Sequence, residues 1–429
     1  MDFDDLVIGS GLAALGAVMG LLASPLASGC ARRVGVLCGP SNNEFFYYNA
    51  SCTVPCAFLG EGGLGSHWHG VIPTGGRHNF GDASDASFTA LFGRFYPKAA
   101  PHLKLGEPGF FVPWRAIRPA AELQKLARLH TDGRLSLIRE AALDLSFNER
   151  GVSVTSNSKV HSASRLWVAA GALHTPALLA KSVAPRAPRT LVSDHAFCYI
   201  GQVDGQAAPR IVRTGDGLLY PARYDATDSA DATTQATALY TLRPAAFAFR
   251  RLDHGIEQRA VFGLPTGNAL AKIARRMSPG LLVEAFYNRF GFFGSTRMHS
   301  VYAQTPAVDA YELGSGEALL RPVPGAIRRA TDAARAAQPF AALRMSQRPE
   351  LAIPGIHLHH TLDLTALAQA GINTADSPVQ VVDASVLTNI GPDHHSFKMM
   401  LSAQTRAHTR AHALARSTTQ QPALTPRES

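Results

Sequence analysis

The stretch Asp4-Asp5-Leu6-Val7-Ile8-Gly9-Ser10-Gly11-Leu12-Ala13-Ala14-Leu15-Gly16-Ala17 decides the fold. Leu6 to Ile8 is a short apolar run that ends in a glycine-bracketed turn, and an Ala- and Leu-rich helical pattern continues to about Leu22. Arg33-Val34-Gly35-Val36-Leu37-Cys38 then reads as a second strand. Strand, tight turn, helix, strand is the minimal crossover of a dinucleotide-binding sheet. Gly9 permits the turn, Gly11 lets the backbone approach a pyrophosphate, and the small Ala14 allows close helix–strand packing. The first N–H groups of the helix and the positive end of its dipole would face the phosphates. The acidic residue that holds a ribose after the second strand is missing. Cys38 and Gly39 stand there, with Glu44 as the nearest substitute.

Outward from this unit, a second α/β signal spans Leu135 to Ser182. Strands are expected at Leu135–Ile138 and Val152–Thr155, then along Leu166-Trp167-Val168-Ala169-Ala170-Gly171. Thr175 is placed to cap the helix that follows, with Pro176 in its first turn. The stretch from about Ile200 to Asp376 mixes strand-like pieces (Thr237–Leu242, Val301–Ala303) with Ala-rich helical pieces (Ala326–Ala337, Pro339–Met345). Val379–Asp383 is a late strand, and a helix is expected from about Phe397 to Ala415 before a polar, disordered tail.

Composition bounds the function classes. The 429 residues are 46% hydrophobic and 17% charged, which excludes a disordered or fibrous chain and leaves room for two or three domains. The net charge of +9 is spread as short Arg pairs without interleaved aromatics, so no nucleic-acid partner is expected. The N-terminus is acidic where a secretory signal is basic. The apolar stretch Leu12–Ala27 contains Pro25 and falls short of the roughly 20 residues of a membrane span. Five Cys without paired spacing point to a reducing, cytoplasmic setting.

Two further features carry chemistry. Gly62-Gly63-Leu64-Gly65-Ser66-His67-Trp68-His69-Gly70 is costly in backbone entropy and makes sense where the chain passes close to a flat cofactor; a surface turn is the alternative. His357, His359 and His360, then His394 and His395, flank the late strand. Histidine titrates near neutrality and is suited to taking a hydroxyl proton. No carboxylate or thiolate stands at diagnostic spacing for a metal, so no metal ligand is assigned.

These segments resemble, in order, those of the glucose–methanol–choline flavoprotein oxidoreductases. They are DDLVIGSGLAALGA, EGGLGSHWHG, RLWVAAGALHTPALLAKS and VQVVDASVLTNIGPDHHSFKMMLSAQTRA, with Ser193-Asp194-His195 similar to the family's Asp-His stretch. The resemblance implies an α/β fold: a Rossmann-like FAD-binding domain (1–76, 130–200 and 376–415) plus an α+β substrate domain with a mixed or antiparallel sheet. The latter would comprise 77–129 and 201–375 with lid segments, leaving 416–429 as a disordered tail. FAD would contact Gly9, Ser10, Gly11, Leu12, Ala13, Gly63, Ser66, His67, Trp68, Ala170, Gly171, Asp383, Ala384 and His395. The catalytic pair would be His394 and His357, with His359 or His360 as alternates to the latter. The loop before Trp68 is most similar to the pyranose oxidase branch, which implies a covalent flavin link at His67; non-covalent packing of His67 against the ring is the alternative. The expected substrate is a small alcohol or sugar in a chamber of low polarity, Phe292 and Phe293 being candidate walls. An FAD enzyme of different chemistry, such as oxidative tailoring or isomerisation, and a non-catalytic flavin-binding protein are the competing readings.

Overall fold

Apolar side chains on both sides of the first strand require it to be covered on both faces, and it lies inside a parallel sheet. A computed structural model gives the structure. It describes residues 2–24, 26, 30–39, 44–47, 55–68, 70–74, 83–105, 107, 109–149, 151–204, 212–224, 238–244, 298–313, 320–336, 344–345, 353–354, 357–388 and 391–419. The chain opens with β1 (Phe3–Ile8), α1 (Leu12–Leu22) and β2 (Val34–Leu37), then β3 (Glu44–Tyr47), β4 (Pro55–Leu59), a 3₁₀ turn over Gly63–His67 and β5 (Ile72–Pro73). Next come α2 (Asp85–Phe95), β6 (Gly109–Pro113), α3 (Pro119–Leu129), β7 (Leu135–Ile138), β8 (Ala142–Asn148), β9 (Gly151–Ser156), β10 (Val160–Val168) and α4 (His174–Ser182). The central part holds β11 (Leu191–Asp194), β12 (Ala196–Asp204), β13 (Val212–Arg213), β14 (Gly217–Tyr224), β15 (Leu239–Pro244), β16 (Met298–Gln304), β17 (Val308–Leu313) and β18 (Leu320–Pro322). After these come α5 (Ala326–Ala336), β19 (Arg344–Met345), β20 (Ile353–Pro354), α6 (Leu364–Gln369), β21 (Val379–Val381) and α7 (Ser396–Thr419).

The first sheet has seven strands in the order β7-β2-β1-β10-β9-β8, with β21 also on β10. β7, β2, β1, β10 and β21 are parallel. β10 serves two neighbours: Val160–Ala163 pairs antiparallel with β9, and Leu166–Val168 pairs parallel with β21. Because β2 and β10 lie on opposite sides of β1, the carboxyl ends of β1 and β10 form a topological switch point, where open α/β sheets bind ligands.

Strand alternation divides the core. Val7 and Trp167 pack with α1, α2, α3 and α7 on one face, while Leu6, Ile8, Leu166 and Val168 pack with Leu179, Leu362 and Leu367 on the other. Helices α2 and α3, within the stretch 77–129, thus belong to the core around α1. α1 and α7 cross at backbone distance: a Cβ on Gly16 would lie 2.0 Å from the Met400 carbonyl oxygen, and one on Gly20 2.2 Å from that of Gln404.

A nine-stranded antiparallel sheet, β19-β12-β16-β15-β14-β6-β5 with β13 on β14 and β20 on β12, forms the second layer system. β11, β17 and β18 make a separate three-stranded antiparallel sheet. An aromatic cluster ties β6 to the helices of the first sheet: Phe92 meets Phe111 edge-on at 5.1 Å, and Phe88 meets Phe397 edge-on at 5.4 Å.

Four expectations need correction. Glu44–Arg77, whose richness in Gly, aromatic residues and His reads as an irregular loop region, contains the antiparallel pair β3–β4. Arg344–Met345, read as helix, pairs with Gly201 and Gln202 of β12; tertiary pairing overrides local propensity there, and 339–343 lie outside the described residues. Helix α7 continues through Arg416 to Thr419, beyond the predicted start of the tail. Thr175 is buried inside the first turn of α4 and donates to Asp383 rather than capping the helix.

Beneath the sheet, Asp5 is fully buried and accepts from Arg32 Nη1 (2.5 Å), Arg165 Nη2 (2.8 Å) and Trp167 Nε1 (2.9 Å). Burial pushes its carboxyl up to about 6, against the pull of Arg32, so it is ionised at neutral pH. Among the described residues, no helix is long and apolar enough to cross a membrane. Asp5→Ala leaves the buried Arg32 guanidinium without its carboxylate and should cost about 3–5 kcal/mol in denaturant unfolding. A loss under about 1 kcal/mol, the ordinary cost of a substitution, would contradict this account of the network.

Candidate active site at the carboxyl end of the parallel sheet

Three chain segments leave adjacent parallel strands together. Gly9 follows β1, Ala169 follows β10 and Val382 follows β21, linked by Ala169 N–H to Ile8 O (2.8 Å) and Val382 N–H to Val168 O (3.0 Å). Gly9 has φ +107°, and a Cβ there would lie 2.2 Å from the Ala169 carbonyl oxygen, so no other residue fits without moving backbone. Gly11 is the N-cap of α1 and provides no side-chain acceptor; the first turn carries no acidic residue. Leu12 and Ala13 begin the helix and are buried. The glycine-rich turn lies over this helix end, a Cβ on Gly63 reaching Gly11 Cα at 3.8 Å. Uncapped amides, a bare glycine backbone and a first helical turn without an acidic residue fit a dinucleotide pyrophosphate.

Several side chains assigned to the cofactor hold the protein frame. Ser10 Oγ donates to Cys38 O (2.8 Å) and accepts from Gly62 N–H (2.8 Å), pinning the glycine-rich turn to the end of β2. Asp383 accepts from Gly171 N–H (2.7 Å), Thr175 Oγ1 (2.5 Å), Ser385 N–H (3.0 Å) and Ser385 Oγ (2.5 Å), knitting the β10 and β21 ends together. Ala170 precedes this junction and Ala384 opens the 3₁₀ turn after it. Ser66 folds back to donate to Glu61 O, and Arg118 donates to the carbonyls of Ser66 (2.7 Å) and Trp68 (3.2 Å). The His67 side chain, Phe292 and Phe293 lie outside the described residues.

The ribose position also differs from expectation. Glu44 is exposed on β3, opposite Leu59, rather than at the end of β2. Glu61 is the carboxylate whose charge acts on Cys38, and it is paired with Arg139 at 2.5 Å. Burial pushes the Cys38 thiol up to about 12, which excludes it as a thiolate nucleophile.

Five histidines gather from three segments. His357 faces His394 with ring centroids 5.0 Å apart and His395 at 5.3 Å; His359 lies 5.3 Å from His395. His195 stands behind them at 5.8 Å from His357, 5.7 Å from His359 and 6.2 Å from His395. His357 and His394 are half-buried, whereas His195, His359 and His395 are buried. His360 is in none of these ring contacts, and the charges that act on it are those of Arg189, Asp309 and Asp363. Buried carboxylates position the group. Asp194 accepts from the backbone N–H of His195 (2.8 Å) and of His357 (2.9 Å). Asp393 and Lys398, both buried, pair at 2.5 Å across His394-His395, and Phe397 anchors the start of α7 in the aromatic cluster. His195 and Asp194 were legible only through the Ser193-Asp194-His195 resemblance, which said nothing of their role as frame and neighbour.

The interior rings are held neutral. His195 is pushed down to about 3, first by burial and then by the charge of His357. His359 is pushed down to about 3 by burial and His195, and His395 falls well below the usual range through burial and the surrounding histidines. Hydrogen bonds to Thr305 O (2.9 Å) and His357 O (2.7 Å) place the protons of His195 and His359 on Nδ1. A folded pKa below the unfolded value means that the unfolded chain binds more protons below about pH 6.5. Stability is therefore complete above about pH 6.5 and falls as pH drops toward 3. Three such groups give a slope of up to about 4 kcal/mol per pH unit at its steepest. Unfolding titrations in urea between pH 7 and 5 should show this loss, and a flat profile would contradict neutral interior rings.

Among the described residues, no group of three or more His, Cys, Asp or Glu is arranged to hold a metal ion. No protein-family model and no curated protein matches the sequence. Solved structures do match. A formate oxidase of Aspergillus oryzae RIB40, solved in a study of FAD modification, aligns over 97% of this chain and 99% of its own at 11% identity, with a TM-score of 0.52. A fungal aryl-alcohol oxidase aligns over 97% of this chain and 99% of its own at 13% identity, with a TM-score of 0.51. This chain has the fold of these oxidases, the fold that its resemblance to the glucose–methanol–choline oxidoreductases implies.

Proposed function

We propose that the chain is an FAD-dependent oxidoreductase that oxidises a small alcohol or sugar hydroxyl. One observation carries the reading: a half-buried histidine pair, His357 and His394, faces itself at 5.0 Å beside the glycine-lined end of a dinucleotide-binding sheet. The fold shared with an aryl-alcohol oxidase supports it. Gly9, Gly11, Leu12 and Ala13 would hold the pyrophosphate through backbone amides, with Gly63 and Gly171 lining the path. Bound FAD supplies a hydride acceptor. His357 and His394 flank the substrate hydroxyl, one taking its proton and the other donating a hydrogen bond to its oxygen. Buried neutral rings behind them exclude water and leave the pair as the accessible proton-holding groups. Such a base contributes about 10²- to 10⁴-fold. His357 is favoured over His359, which is buried, and over His360, which is in none of the cluster's ring contacts.

The experiment is anaerobic mixing of the purified flavoprotein with a panel of alcohols and sugars. At least one compound should bleach the flavin, and His394→Ala should slow that bleaching by about 10²-fold or more. If no hydroxyl compound bleaches it, the proposal fails; an unimpaired His394→Ala protein would remove His394 from the pair. For the attachment at His67, acid precipitation should leave yellow colour in the pellet, and complete release of the flavin would exclude the covalent link.

A further inference from the structure

The segment His357–Thr361 is clamped on its backbone at nearly every step. Its contacts are His357 N–H to Asp194, His359 N–H and C=O to Ser193 (3.0 and 3.1 Å), His360 N–H to Ala384 O (3.0 Å) and Thr361 N–H to Ser385 O (2.9 Å). Within it, His360 sits at φ +51°, the left-handed region, which disfavours a side chain and is adopted freely by glycine. Such conformations persist only where surrounding contacts over-determine them.

Arg189 adds a side-chain contact to these backbone clamps. One arm of its guanidinium, Nη1, donates to His360 O at 2.6 Å; the other, Nη2, meets Asp309 at 3.0 Å. Its backbone N–H donates to Thr361 O at 2.9 Å. Asp309 in turn accepts from Ser193 Oγ at 2.7 Å, and Ser193 is the residue bridged to His359. We propose that Arg189 is a positioning residue: its two-armed guanidinium holds His360 left-handed and thereby sets the direction in which His357 and His359 enter the histidine cluster. A lysine presents its donors from one nitrogen on a flexible stem, so it reproduces this two-nitrogen planar fork poorly. The inference rests on the reading of His357 as part of the reacting pair.

The test is a double-mutant cycle of Arg189→Lys with His360→Gly, read in two ways. Arg189 is one-fifth exposed, and glycine adopts the left-handed region freely, so both variants are compatible with a folded chain. In urea unfolding, Arg189→Lys should raise the unfolding equilibrium constant at least about threefold more in the parent than in the His360→Gly background, since glycine needs no holding. In anaerobic flavin reduction, Arg189→Lys should slow the limiting rate by about 10- to 100-fold with little change in half-saturation, and His360→Gly should recover most of that loss. Equal penalties in the two backgrounds overturn the proposal. If no substrate reduces the parent flavin, the functional reading fails instead, and the unfolding cycle still decides the role of Arg189.

Discussion

The carbonyl oxygen of Ala169 lies so close to Gly9 that a single added carbon would stand 2.2 Å from it. That approach brings the ends of β1 and β10 together, and the rest of the site depends on it. With the two ends joined, α1 starts with its amides open, the glycine-rich turn settles over them, and β21 delivers Asp383 beside Gly171. The histidines are carried by segments that this junction anchors. Thr361 Oγ1 donates to Ala172 O at 2.5 Å, one residue beyond Gly171, and His360 N–H donates to Ala384 O.

A second regularity is the use of buried carboxylates as staples. Asp5, Asp194, Asp383 and Asp393 are each almost wholly buried. Asp5, Asp194 and Asp383 join segments more than 150 residues apart in the chain, to Arg165, His357 and Gly171. A buried carboxylate is tolerable only when several donors face it. Asp5, Asp194 and Asp383 therefore specify which distant segment must arrive at their positions. The +9 net charge plays no part in this; the acidic residues that matter are the interior ones.

Much of the architecture was legible in the sequence because local rules and tertiary needs agree. The run Leu6-Val7-Ile8 with Gly9 and Gly11 yields strand, turn and helix, and Leu135–Ile138 and Val379 onward emerge as strands of the same sheet. The clustering of His357 with His394 and His395 also followed from their placement around the late strand. What could not be read were the positions of side-chain lone pairs. The motif says that Ser10 and Asp383 stand beside a cofactor path, but not that their oxygens are already engaged by protein donors. Nor does spacing alone show that His360 must be left-handed, or that Arg189 and Asp194 reach the His357 segment from more than 160 residues away. Arg344–Met345 was misread because strand pairing with β12, invisible locally, outweighs helix propensity.

The central claim is that the uncapped helix end beside Gly9 binds a flavin dinucleotide. It is tested most directly by the visible absorbance of the natively purified chain, before and after saturation with FAD, alongside Gly9→Ala. The account predicts a yellow protein carrying close to one flavin per chain, and a Gly9→Ala protein that retains none. A colourless parent chain that takes up no FAD, or a Gly9→Ala chain that binds it equally well, would contradict it.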